Sequence, residues 1–194
     1  MYKETRENSG KITAAIGSRI KEVIEAEYPG IKVYYDHGPA GNKRVVPKLR
    51  STGKNSRSRY QSLAWVDIGI IDQTSKKALM LIEIEERPAA PKAVLGDLCN
   101  IFFADRVQVG GEDFDITDVR LILALTHNDR HADRNKAIID SIQDVISPTH
   151  RKNIRANIIN IGDPKELEEH LLREAKAVCG NEAPIEVVNR GITN

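Results

Sequence analysis

Two apolar runs constrain this chain more than any other feature. Leu63 to Asp72 (LAWVDIGIID) and Ala78 to Glu86 (ALMLIEIEE) are rich in Val, Ile and Leu, and the five residues between them, QTSKK, are turn chemistry. The expected product is a hairpin. Each run nevertheless carries acids: Asp67 in the first, and Glu83 and Glu85 in the second. Strand residues two apart point to the same side. Glu83 and Glu85 therefore share a face with Leu81, while Ile82 and Ile84 take the other. Asp67 shares its face with Trp65 and Gly69. If the hairpin closes at QTSKK, Asp67 and Glu83 lie on neighbouring strands.

Three carboxylates that close together repel one another, so either one holds a proton or a cation sits among them. Hard oxygen ligands with an open side suit Mg²⁺ or Mn²⁺; Zn²⁺ prefers His and Cys. A divalent ion held this way polarises a phosphodiester and activates water. The plainer alternative is that acids near a strand end face solvent, as on the wet side of an antiparallel sheet.

The remaining pattern supplies the elements around this hairpin. Gly10 to Ala26 has apolar residues at helical spacing (Ile12, Ile16, Ile20, Val23, Ile24), with Ser9 placed to cap it and Pro29-Gly30 to end it. Ile31 to Asp36 reads as a strand. Lys92 to Ala104 reads as a helix with a buried stripe of Val94, Leu95, Leu98, Ile101 and Phe102. Arg120 to Thr126 (RLILALT) has the continuous apolar character of a central strand covered on both faces. A helix from Asn128 or Asp129 to about Ile146 follows, then a strand over Ala156 to Ile161. Asp163-Pro164, a cap residue followed by proline, opens a helix to about Val178. Ile185 to Asn189 is a candidate short edge strand. The order α-β-β-β-α-β-α-β-α implies a mixed α/β sheet flanked by helices, with parallel pairing in its later strands.

At 194 residues the chain fits one domain, residues 1–194. A net charge of +1 does not by itself announce a nucleic-acid partner, but its distribution is uneven. Residues 37–61 form a long Gly/Pro/basic segment. Within it, KRVVPKLRSTGKNSRSR (Lys43 to Arg59) holds seven Lys and Arg and no acid. Long segments of this kind are often functional, and the charge suits phosphate contacts from Lys43, Arg44, Lys48, Arg50, Lys54, Arg57 and Arg59. The same pattern also describes a solvated surface loop. Cys99 and Cys179 lack metal-type spacing and read as free thiols of a reducing cytosol, which suggests a cytoplasmic protein. No apolar run approaches the roughly 20 residues of a membrane helix.

Other constellations are weaker. Asp36-His37 at a strand end is placed to touch a substrate, although a lone loop histidine usually does nothing more. His127 and His131 are four apart, a metal-like spacing, but they lie at a strand-to-helix junction where Asn128 and Asp129 have a capping role. Glu22 and Glu25 on the first helix are candidate acids for the same site or ordinary solvated charges. There is no nucleotide-binding glycine loop and no Ser or Cys nucleophile motif.

The hairpin aspartate, the acids two apart after an apolar run and the α-β-β-β-α-β order together resemble the restriction-endonuclease-like PD-(D/E)xK nuclease superfamily. The resemblance implies that Asp67 (in VDIGIID) and Glu83 (in LIEIEER) bind a divalent metal with the Ile84 carbonyl. It also implies that the last residue of the triplet, Glu85 here, helps activate water. Lysine is usual at that position. Some type II restriction enzymes carry a similar Glu-x-Glu and cut DNA. Other members place a migrated lysine on an adjacent element, and Lys92, seven residues past Glu85, is positioned for that role. Val66 stands where the motif has proline.

The function expected is a metal-dependent DNA endonuclease, of type II restriction-like character, using Mg²⁺ or Mn²⁺. Cutting a duplex at symmetric sites calls for two copies, hence a homodimer. The principal alternative is a catalytically inactive nuclease-fold module that binds DNA or regulates. A third is an unrelated α/β protein whose acids bind a small molecule or face water.

Overall fold

The computed structural model describes residues 10–37, 47–50, 62–86, 91–126, 137, 140–141 and 153–180, leaving aside the side chains of 62, 91–94, 97–98 and 153. The architecture is mixed α/β, as the sequence order implies. In chain order the elements are α1 (Lys11–Glu27), β1 (Ile31–Tyr35), β2 (Lys48–Arg50), β3 (Ser62–Trp65), β4 (Ile68–Asp72), β5 (Lys77–Glu85), α2 (Pro91–Phe103), β6 (Arg106–Val109), β7 (Glu112–Asp115), β8 (Asp118–Leu125), β9 (Asn153–Asn160) and α3 (Pro164–Cys179). Ala137, Asp140 and Ser141 are helical; the rest of the helix expected after Asn128, with His127 and His131, lies outside the described residues, as does the candidate strand at Ile185 to Asn189.

The large sheet runs β1-β4-β5-β8-β9. Its first three strands are antiparallel neighbours, and β5-β8 and β8-β9 are parallel. A smaller antiparallel set, β7-β6-β2-β3, joins it where β7 meets the start of β5 at Asp115 and Lys77. Set apart from that smaller unit, the connection α1-β1-β4-β5-α2-β8 reproduces the α-β-β-β-α-β order.

Side-chain alternation divides the core into two layers. Met80, Ile82, Ile84, Ile122 and Ala124 face α1 and α3, meeting Ile16, Ile20, Ile24, Leu167 and Leu171. Leu81, Leu121, Leu123 and Leu125 face α2 and the small sheet, meeting Ile101, Phe102, Leu49, Val107 and Phe114. β8 is thus covered on both sides, which accounts for its unbroken apolar run.

The helix boundaries have local causes. Asp163 caps α3 by accepting from the Lys165 and Glu166 amides, both at 2.9 Å, with Pro164 in the first turn. At α1 the expected cap, Ser9, lies outside the described residues. Gly10 occupies the cap position in a left-handed conformation (φ 88°) and contributes no side-chain bond.

Two sequence expectations need correction. The run Leu63 to Asp72 is not one strand: β3 ends at Trp65 and pairs with β2, whereas β4 begins at Ile68 and pairs with β1 and β5. The 37–61 segment likewise contains a strand, β2. The β6-β7 hairpin was not anticipated, although its turn, Gly110-Gly111 with φ of 60° and 94°, is the glycine pair that a tight hairpin favours.

Candidate functional site

Asp67 sits where the chain passes from the small sheet to the large one. Its neighbours go to opposite layers: Val66 is buried on the α2 side and Ile68 on the α1 side. Strand alternation would have kept residues 66 and 68 together, so the handover at Asp67 is what separates them. Backbone bonds hold the junction. The Val66 amide donates to the Pro47 carbonyl at 2.9 Å, and the Asp36 amide donates to the Asp67 carbonyl at 2.8 Å.

The Asp67 carboxylate is turned to the end of β5, where its Oδ2 accepts from the Ile84 amide at 2.8 Å. In a strand, the N–H and C=O of one residue point to the same edge. The Ile84 carbonyl therefore faces the Asp67 side, while the Glu85 carbonyl faces β8 and accepts from the Thr126 amide (3.2 Å) and hydroxyl (2.9 Å). Burial pushes the Asp67 carboxyl up to about 6. The Ile84 amide and the His37 ring pull it down, and the negative charges of Asp36 and Glu85 push it further up.

Asp36 and His37, at the end of β1, complete the cluster. The ligand atoms of Asp36, His37 and Asp67 lie within 4.8 Å of one another. His37 has a positive φ of 59°, and its amide donates to Asp36 Oδ1 at 2.6 Å. Its imidazole rests on Gly10: a Cβ at that position would come within 2.3 Å of the ring. The left-handed glycine therefore both starts α1 and makes room for His37.

Glu86, one residue beyond β5, is turned to the first helix. It accepts from the Gly10 amide (2.9 Å), the Thr13 amide (2.8 Å) and the Thr13 hydroxyl (2.9 Å). The end of β5 therefore serves α1 and the Asp67 cluster together.

The structure brings Asp67, Ile84 and Glu85 to one end of the large sheet. Glu83 and Glu85 are half-buried and, by alternation with Ile82 and Ile84, lie on the α2 side. Glu83 falls outside the group of donors within 4.8 Å of one another, in which Asp36 and His37 stand instead. Lys92 is in the first turn of α2, with its side chain outside the described residues. Lys43, Arg44, Lys54, Arg57 and Arg59 also lie outside them. Lys48 and Arg50 are described: Lys48 Nζ stands 4.7 Å from the Trp65 ring centroid, and Arg50 donates to Gln108 Oε1 at 2.6 Å. Glu22 pairs with Arg19 (2.9 Å), and Glu25 is taken up by Lys21, Lys32 and the Val33 amide. Glu25 thus ties α1 to β1.

The donor set fits a divalent cation. Two carboxylates and an imidazole converge, and burial outweighs the Ile84 amide and the His37 ring in raising Asp67. Sequence reasoning undervalued Asp36-His37 because nothing in the linear order shows that the end of β1 lies against the β3-β4 junction. No family model, no curated protein and no solved structure matches the chain. Among the described residues, no helix is long and apolar enough to cross a membrane.

Proposed function

We propose that this chain is a metal-dependent endonuclease acting on the phosphodiester bonds of DNA. The observation that carries the reading is the Asp67 cluster: a half-buried carboxylate at a junction between sheets, raised to about 6, with Asp36 and His37 donors within 4.8 Å. The strand order around it, with the resemblance to PD-(D/E)xK nucleases, supports the same reading.

Asp67, Asp36 and His37 would hold a Mg²⁺ or Mn²⁺ ion, with the Ile84 carbonyl and Glu83 as further oxygen donors on β5. Such an ion supplies positive charge to a phosphate and makes a bound water more acidic. The chain's own groups do the rest. The Ile84 amide fixes the Asp67 carboxylate, the Asp36 amide fixes the junction that carries it, and Glu85 is the acid placed to accept a proton from water, with Lys92 as a second orienting group. Lys48 and Arg50, with the basic residues from Lys43 to Arg59, suit the DNA backbone. A homodimer would present two such centres to the two strands. The free thiols Cys99 and Cys179 support a cytoplasmic setting.

Incubating supercoiled plasmid with Mg²⁺ or Mn²⁺ tests the proposal. Wild-type protein should nick or linearise it, and Asp67→Asn and Glu83→Ala should not. Absence of cutting with either ion, or equal cutting by wild type and both variants, defeats it. Glu85 at the usual lysine position favours one alternative, a nuclease-fold module that binds without cutting; retarded DNA migration without cleavage would establish it.

A further inference from the structure

The small sheet spends its apolar residues on one side only. Leu49, Val107 and Phe114 are buried against α2, with Ala64 packed beside them. Residues directly opposite on paired strands share a face. Lys48 pairs with Trp65 and with Gln108, and Arg50 pairs with Arg106, so all five stand on the outer side. Trp65 is 54% exposed there, and Leu63, two residues earlier, is 36% exposed.

This face combines an open indole with cations. Lys48 lies over the Trp65 ring at 4.7 Å, a cation-π arrangement that holds both side chains in place. Arg50, half-buried on the same face, is anchored through Gln108 Oε1 at 2.6 Å. Among the described residues, Asp113 on β7 meets Arg106 at 3.3 Å and Gln108 at 3.0 Å. Lys48 and Arg50 both stand on β2, within the stretch of sequence from Lys43 to Arg59 that contains no acid.

An exposed aromatic flanked by Lys and Arg on a sheet surface is the chemistry that takes nucleic-acid bases by stacking and phosphates by charge. Stacking requires a base whose flat face is open, and a paired duplex hides those faces. We propose that the outer face of the small sheet holds an unpaired stretch of a DNA strand, with Trp65 as the stacking surface and Lys48 and Arg50 as the phosphate contacts. β3 ends at Trp65, and Asp67 follows two residues later, at most about 7 Å of backbone away. A base stacked on Trp65 thus places its strand beside the Asp67 cluster. The inference rests on DNA as the ligand, as proposed above, but not on cleavage.

Trp65 is the chain's single tryptophan, so its emission reports on this face alone. In EDTA, an oligodeoxynucleotide of about 12 nucleotides should quench the emission of the wild-type protein. By anisotropy of the labelled strand, Trp65→Ala should bind roughly tenfold or more weakly, Trp65→Phe should keep most of the affinity, and a duplex of the same sequence should bind less well than the single strand. Emission that ignores the strand, equal binding by Trp65→Ala, or preference for the duplex overturns the proposal. So does emission that shifts with protein concentration rather than with DNA, which would mark the face as a contact between copies. Binding without plasmid cutting would leave this inference standing and remove the nuclease reading. Cutting without quenching would do the reverse.

Discussion

Thr13 and Glu86, 73 residues apart, are joined twice: the Glu86 carboxylate accepts both the amide and the hydroxyl of Thr13, at 2.8 and 2.9 Å. With the Gly10 amide on its other oxygen, this one side chain does for α1 what a local cap does for most helices. The cap comes from the end of β5, one residue after Glu85. The first helix and the strand that carries the Asp67 partner Ile84 are therefore fastened at the same point. A negative charge at a helix N-terminus is also favoured by the helix dipole.

Removing that carboxylate should cost more than an ordinary surface change. Glu86→Ala leaves the Gly10 and Thr13 amides and the buried Thr13 hydroxyl without this acceptor. A loss of about 2 kcal/mol is expected, read as a lower urea midpoint at unchanged slope. Glu86→Gln keeps an acceptor and should recover part of it. A Glu86→Ala midpoint equal to wild type would mean that the helix end finds equivalent partners elsewhere.

Asp67 should weaken the fold at neutral pH. Its folded value, about 6, lies above the ordinary 3.8. Between those values the folded chain holds more protons than the unfolded one, so stability falls as pH rises through the window and stays reduced above it. Asp67→Asn keeps an oxygen for the Ile84 amide and discards the charge. It should stabilise the protein by about 1–3 kcal/mol near pH 7.5 and by nothing near pH 3.5. Millimolar Mn²⁺ should raise the melting temperature of wild type and not of the variant. Chemical unfolding at the two pH values decides the matter: a variant weaker than wild type at both would show that the carboxylate is a net stabiliser.

Much of this arrangement could be read from the order of residues, because it depends on local pattern. The helix over Lys11–Glu27, the turn at QTSKK, the doubly covered β8 and the Asp163-Pro164 start of α3 each rest on spacing within a dozen residues. What escaped depends on distant partners. The split of Leu63 to Asp72 is set by which strands β3 and β4 find, and an apolar run looks the same whether it serves one sheet or two. The approach of His37 to Asp67 and the use of Glu86 as a cap join segments 30 and 73 residues apart, and composition holds no trace of such meetings. Gly110-Gly111 was the one missed feature with a visible local signal.

The strongest test of the core concerns a charged group inside it. Arg120 on β8 is 6% exposed and Glu174 on α3 is 3% exposed, and the two form a buried ion pair. His170, one turn earlier on α3, brings its Nε2 within 3.9 Å of the same carboxylate, and that nitrogen is buried without a hydrogen-bond partner among the described residues. Burial raises Glu174 although Arg120 and Arg173 pull it down, and burial with the Arg173 charge lowers His170. Arg120→Met should cost about 3–5 kcal/mol near pH 8, because it strands the Glu174 charge. Adding Glu174→Leu removes the stranded group and should restore most of the loss. The penalty of the single variant should also shrink near pH 5. Falling pH moves Glu174, raised by burial and now without its arginine, toward its neutral form. His170 acts in the opposite sense in the wild type. Its lowered folded value means that the unfolded chain protonates first, so its contribution is complete above about 6.5 and declines as pH falls. Urea unfolding of wild type, single and double variants at both pH values separates these contributions. A double variant as damaged as the single, or a single-variant penalty that does not change with pH, would mean that Arg120 acts by packing its side chain and not by neutralising Glu174.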